Sequence, residues 1–376
     1  MSQPSILMTV LSFLLVIGPL IFIHEMGHYL AGRWFGVKAD VFSIGFGREI
    51  AGWTDKRGTR WKVGWMPLGG YVKFAGDMNP ASQPSAEWLS LPAEERNRTF
   101  QAKSVWQRFI IVAAGPFVNF LFAILVFTFL FAAIGQPRTP NVVPGVQAGS
   151  AAERAGLQKG DRIVSINGSA VERFEDISGY VQIRPRQALE ITVDRSGREQ
   201  VLRTVSDAVE VSDKFGNKAQ MGRLGVLWPD QVREKLAPHQ AVWAGIRQTG
   251  VIVETMVVTL GQLVVGDRSV KELGGPLKIA QYSGQQATQG WLDFVLFMTI
   301  ISINLGFINL LPIPLLDGGH LLFYAIEGAR RKPLKPEAQE WAFRTGLAAL
   351  LALMIFVTLN DLASFGVWKA LGGLIG

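Results

Sequence analysis

Four stretches of this chain run almost without charge over lengths that match a bilayer. Ile6 to Ile23 is an 18-residue uncharged run whose apolar character continues to Phe35. Phe109 to Ile134, Phe294 to Leu316 and the shorter Thr345 to Asn360 repeat the pattern. About 20 apolar residues suffice to cross a bilayer as a helix, so each reads as a transmembrane span. Between spans the pattern changes. Asp40 to Ile50 and Arg60 to Ala75 read as short strands punctuated by Gly45, Gly47, Gly69 and Gly70. Further on, Arg162–Ile166 and Ala188–Val193 are strand-like around an Asn167-Gly168 turn. Val251 to Val265 is apolar but holds Glu254 and Gln262. A crossing there would invert the next span, so it reads as an amphipathic helix on the outer surface.

The expected fold is a polytopic α-helical membrane protein with four transmembrane helices, a β region at the cytoplasmic side and a soluble domain outside. The expected boundaries are 1–35 (first span), 36–108 (cytoplasmic loop), 109–135 (second span) and 136–232 (soluble domain). They continue with 233–290 (surface helix and linker), 291–328 (third span), 329–344 (cytoplasmic loop), 345–361 (fourth span) and 362–376 (tail). Ala81 to Arg98 reads as an exposed linker. Pro312 and Pro314 are expected to break the third helix, which leaves Asp317 on irregular backbone at membrane depth.

Composition supports this picture: 49% of the 376 residues are hydrophobic. The net charge of +7 could suggest nucleic acid, but the basic residues cluster beside the spans. Twelve Lys and Arg fall between Arg33 and Arg108, and none precedes the first span, which places that loop in the cytoplasm and the N-terminus outside. Arg330, Arg331, Lys332, Lys335 and Arg344 do the same for the loop after the third span. No nucleic-acid partner is expected. The N-terminus lacks a basic region, so the first span is read as retained. There is no cysteine, so a metal would be held by histidine and carboxylate.

The candidate chemistry lies in the first span, in His24-Glu25-Met26-Gly27-His28. On a helix, His24 and His28 share a face and can grip one zinc ion, with Glu25 as general base on a water. The plainer alternative is a pair of satisfied helix histidines, and burial at membrane depth weighs against it. A catalytic zinc needs a third ligand. Asp317 approaches the same face from the end of the third span, and His320 competes with it. Asp317 is favoured because a carboxylate there otherwise lacks a partner; a helix-end cap is its plain alternative. In the second span Gly115-Pro116 suggests a kink and close packing, and Asn119 reads first as a structural bond between helices. The aromatic-rich Trp61–Phe74 stretch fits a sheet edge that pairs with an extended substrate and fits equally a small β-domain with interfacial aromatics.

The run Gly149-Ser150-Ala151-Ala152-Glu153-Arg154-Ala155-Gly156 through Asn167-Gly168-Ser169-Ala170-Val171 resembles a PDZ domain, which implies a groove for peptide termini or extended segments. With the first-span motif and Asn309-Leu310-Leu311-Pro312-Ile313-Pro314-Leu315-Leu316-Asp317-Gly318-Gly319-His320, the whole chain resembles the site-2 protease family of M50-type intramembrane zinc metalloproteases. It is nearest the bacterial RseP-like group, with one PDZ domain where the best-known members carry two. Ser43–Ile50, Pro67–Gly76, Ala114–Phe120 and Gly274–Ala280 also fit. The resemblance implies zinc on His24, His28 and Asp317, with Glu25 as the catalytic base. It implies a substrate cleft lined by Asn304 and Asn309, and substrate pairing at Gly69, Gly70 and Tyr71. It further implies a location in the bacterial inner membrane. The partners it implies are membrane lipid and single-span transmembrane substrates, such as an anti-sigma factor already cut outside or a remnant signal peptide. Two other readings compete. A membrane adaptor with a structural metal is disfavoured because structural zinc sites are closed by four protein ligands. A proton or ion carrier predicts charges in the second span, which has none.

Overall fold

Charge-free sequence becomes long helix wherever the backbone must satisfy itself. Helix α1 spans Ile6–Trp34; Ser5 caps it by accepting the Met8 N–H at 3.3 Å, and Gly36, at φ +73°, ends it. At 1.5 Å per residue its 29 residues reach about 43 Å, more than a hydrocarbon core. Its buried residues include Ser12, Val16, Leu20, His24 and His28, a stripe at four-residue spacing, while Leu7, Leu11 and Leu15 are exposed. The His24–His28 motif thus continues the face that packs inward.

The computed structural model describes residues 4–76, 92–182, 184–212, 218–230, 232–265 and 274–364. The chain divides into two units, residues 1–128 with 242–376, and residues 129–241.

In the first unit, β1 (Ala39–Thr54) pairs with β2 (Arg60–Phe74). Strand β1 runs longer than the expected Asp40 to Ile50, whereas β2 matches the expected Arg60 to Ala75 to within one residue. Gly45 and Gly47, at φ +88° and +83°, let β1 bend so that both its halves find partners in β2. Ile44 lies between Gly70 on one side and Val63 on the other, and Trp53 faces Trp61. Among the described residues, the Gly70–Phe74 segment has strand partners on one side only and forms a sheet edge. Phe42, Phe74, Phe100, Ile111 and Tyr324 pack with Tyr29 of α1 in one buried cluster, which fixes the sheet to the helices. A short helix, α2 (Ala93–Arg96), falls inside the expected linker; residues 81–91 of that linker lie outside the described residues.

Helix α3 (Val105–Ala133) carries Pro116 within it. Helix α8 (Trp291–Leu310) and helix α9 (Asp317–Arg330) occupy the segment expected as the third span over 291–328, with the break expected at the prolines between them. Pro312 and Pro314 lack the N–H that would continue α8, so the chain leaves the helix and restarts after Leu316. Asp317 is therefore the first residue of a new helix, not part of irregular backbone. Helix α10 (Pro336–Ser364) begins well before the expected Thr345 and absorbs most of the loop assigned to 329–344; Arg344 pairs with Glu340 one turn earlier within it. Of the expected tail, residues 365–376 lie outside the described residues. Among the described residues, four helices are long and apolar enough to cross a membrane: α1, α3, α8 and the Glu337–Leu362 part of α10. Helix α6 (Pro238–Val265) is not among them. Helix α7 (Pro276–Gln289) is tied to α10 by buried Asp361, which accepts N–H groups of Gly275 and Lys278 at 3.1–3.2 Å.

The second unit is built on a four-stranded sheet ordered β5-β4-β6-β7: β4 (Arg162–Ile166), β5 (Ser169–Ala170), β6 (Ala188–Arg195) and β7 (Arg198–Val205). Asn167 and Gly168, at φ +48° and +78°, make the two-residue turn expected between β4 and β5. Leu189, Ile191 and Val193 alternate inward from β6 and meet Phe174, Ile177 and Val181 of the short helix Phe174–Gln182.

Candidate metal centre and active-site cavity

Three donor atoms converge where α1, α3 and α9 meet. His24 Nε2 lies 3.1 Å from Asp317 Oδ2, His28 Nε2 lies 3.4 Å from the same oxygen, and the two Nε2 atoms are 3.3 Å apart. The three residues form the one cluster of metal-ligand type found among the described residues. Asp317 Oδ2 is buried and has no hydrogen-bond partner, although both imidazoles are beside it. That combination fits a cation. Zinc bonds of about 2.0–2.2 Å at tetrahedral angles put neighbouring ligands about 3.3 Å apart, the edge length of this triangle. Lone pairs of two imidazoles and a carboxylate aimed at one point repel one another unless a positive ion lies there.

The surroundings hold the donors in place. His28 Nδ1 lies 2.9 Å from the Ile111 carbonyl, which can only accept, so this nitrogen carries the proton and Nε2 is free to ligate. The close crossing of α1 and α3 makes that bond possible. A Cβ on Gly115 would collide with the His28 ring, and one on Gly27 would collide with the Ala114 carbonyl. Asn119 of α3 lies 3.0 Å from His24 Nδ1.

Glu25 is 7% exposed and lines a cavity of about 690 Å³ together with the three donor residues. The backbone N–H of Val72 is within hydrogen-bonding reach of its carboxylate. Gly69, Gly70 and Tyr71 of the sheet edge line the same cavity. A Cβ on Gly70 would lie 2.7 Å from an Ile21 methyl and 2.9 Å from Glu25 Cγ, so only glycine lets the strand approach the motif this closely. Asn309 lines the cavity from the end of α8; Asn304, half-buried earlier on that helix, is not among its lining residues. His320 also reaches the cavity, packed against the Phe343 ring at 5.1 Å, but stands outside the donor cluster. The family resemblance pointed to Asn309, and the sequence pattern brought out the motif and Asp317. It did not bring out the Ile111 carbonyl or Gly27, and it read Gly115 only as a small residue beside a proline.

A buried donor triangle with an adjacent carboxylate, in a cavity walled by apolar helices, is the apparatus of a metal-dependent hydrolase. The model of peptidase family M50 matches residues 12–353, and the chain belongs to that family of zinc metalloproteases. A protein of Agrobacterium fabrum named for zinc metalloprotease activity is 46% identical over 361 residues, covering 94% of this chain and 96% of that protein. The metalloprotease MmpA of Caulobacter vibrioides is 37% identical over 392 residues, covering 98% of each. Among solved structures, the PDZ domain of an SdrC-like protein from Listeria monocytogenes aligns over 23% of this chain and 84% of that chain, at 19% identity and a TM-score of 0.19, a likeness too slight to bear weight. The enzyme is a membrane protein that uses zinc.

Proposed function

We propose that this protease cuts single-span membrane proteins within or beside the membrane, with His24, His28 and Asp317 holding zinc and Glu25 as the catalytic base. The observation that carries the reading is the position of the donor triangle. It stands on a 29-residue apolar helix, inside a cavity one wall of which is a sheet edge. When bound, zinc polarises the scissile carbonyl and acidifies a water. Glu25, next to His24 and facing the same cavity, would take a proton from the attacking water and return it to the leaving amine. A substrate helix satisfies its own backbone and must unwind before its carbonyl is accessible. The Gly69–Tyr71 edge offers replacement hydrogen bonds and holds the unwound stretch extended, with Asn309 bonding its backbone from the facing side.

The clustering of Lys and Arg in the loops supports a donor triangle toward the cytoplasmic side of a bacterial inner membrane, with residues 136–232 outside. The second unit supports a PDZ-type role. Val226 forms an isolated bridge with Val146: the Gln147 N–H donates to the Gly225 carbonyl at 2.8 Å and the Leu227 N–H to the Gly145 carbonyl at 2.9 Å. By strand alternation the N–H and C=O of Val226 face the other way, toward a groove of about 230 Å³ lined by Phe174, Ile177, Val181 and Trp228. An extended peptide fits such an edge. The substrate class proposed is an anti-sigma factor after a first outer cut, or a remnant signal peptide. The experiment compares wild type with Glu25→Gln in detergent, for zinc content and for cleavage of a single-span model substrate. Retained zinc with cleavage reduced at least about 100-fold supports the assignment; undiminished cleavage by Glu25→Gln sinks it.

A further inference from the structure

We propose that Asn119 is a positioning residue for His24: its side-chain carbonyl accepts the Nδ1–H of that imidazole and so keeps Nε2 bare for zinc. The inference rests on His24 being a zinc ligand. His28 supplies the pattern, since its Nδ1–H is given to a carbonyl and its Nε2 joins the donor triangle. His24 needs the same arrangement, and the one side chain recorded at its Nδ1 is Asn119, 3.0 Å away and fully buried.

As drawn, the amide nitrogen of Asn119 faces His24 Nδ1, while its Oδ1 is buried with no partner. That orientation would force the His24 proton onto Nε2, beside Asp317 and the other imidazole, where it blocks ligation. Amide oxygen and nitrogen have nearly the same shape, and their assignment follows from the hydrogen-bond network. Turning the amide by 180° keeps the single contact to His24 and loses none, because Oδ1 has no partner to lose. It also gives the tautomer that zinc requires.

The backbone at this residue is held independently of its side chain. Ser302 Oγ of α8 donates to the Asn119 carbonyl at 3.0 Å. Asn119 therefore joins three helices at the metal centre: its own α3, α1 through His24, and α8 through Ser302.

The test measures zinc affinity of the full-length protein in detergent micelles, by competition with a chromophoric chelator. It uses wild type, His24→Ala, Asn119→Leu and Asn119→Asp. His24→Ala checks the underlying assignment, and unchanged affinity there removes the basis of this inference. With His24 confirmed as a ligand, the expected result is a loss of about 10–100-fold for Asn119→Leu, the usual effect of losing a partner of a metal-bound histidine. Asn119→Asp, whose carboxylate accepts the same proton, stays within tenfold of wild type. A loss under tenfold in Asn119→Leu overturns the proposal. So does an Asn119→Asp as weak as Asn119→Leu, the result that a packing role or a donor role gives. Should Asn119→Leu not fold, Asn119→Asp decides alone: within tenfold of wild type supports the inference, and a larger loss overturns it.

Discussion

Asp317 Oδ2 is a buried carboxylate oxygen that makes no hydrogen bond, 3.1 and 3.4 Å from two imidazole nitrogens. Without a cation it is among the costliest groups in the unit, because an unpaired buried charge loses its hydration with no return. Chelating the metal should therefore abolish cleavage, and added zinc should restore it. Asp317→Asn, which removes the charge but keeps the shape, should bind zinc substoichiometrically after dialysis, as read by metal analysis. The seat of His28 gives a second prediction at this scale. Gly115→Ala puts a methyl into the His28 ring, and either the ring or α3 must move. Overpacking of this kind costs about 1–3 kcal/mol. The variant should melt at a lower temperature and hold less zinc, and full zinc content at wild-type melting temperature would show that the crossing relaxes freely.

At the scale of elements, the break between α8 and α9 sets the position of the third donor. Pro312 and Pro314 stop α8, Leu315 takes φ +84°, and Asp317 opens α9. A leucine in left-handed backbone is strained, and such strain persists where neighbouring structure enforces it. Replacing both prolines by alanine removes the block to helix continuation. The expected outcome is at least a tenfold loss of zinc affinity as the α8 helix lengthens and Asp317 turns away. Equal affinity in the double variant would show that packing of α9, not the prolines, places the carboxylate. The bent β1–β2 sheet follows the same logic: the glycines at 45 and 47 create the bend, and the bend leaves Gly70–Phe74 as an edge against α1.

At the scale of the molecule, the two units depend on different forces. The membrane unit is held by apolar packing and a few buried polar bonds. Ion pairs occur in both units, and in the second they hold two carboxylates whose titration bears on its stability. Burial raises the pKa of Asp161, but bonds from the Arg195 guanidinium and the Gln158 N–H outweigh it and hold the carboxyl below its ordinary value. Asp207 is likewise held down, against its burial, by Arg154 and the Ala151 N–H. A carboxylate with a folded pKa below its unfolded value, about 3.9 for Asp, contributes stability that is fully present above that value. The contribution is lost as pH falls through the folded pKa. Amides of β4 and β6 should therefore lose protection below about pH 4, measured by hydrogen exchange corrected for its intrinsic rate. Arg195→Gln should flatten that dependence.

The sequence by itself determined the features that are local. Four spans are legible because a bilayer-crossing helix must be apolar over its whole length. The His24–His28 pair is legible because i and i+4 share a helix face, and the Asn167-Gly168 turn because both residues tolerate positive φ. Asp317 is legible as a candidate because a carboxylate at membrane depth needs a partner. Tertiary structure alone decided the rest, since it depends on which helix faces which. It brought Asp317 Oδ2 within 3.4 Å of both imidazoles, and set the Ile111 carbonyl on His28 and Asn119 on His24. It also turned Asn309, but not Asn304, into the cavity. Those contacts join residues about 80 to 290 positions apart, and hydrophobic periodicity, which reports only a residue's own turn, carries no information across such distances.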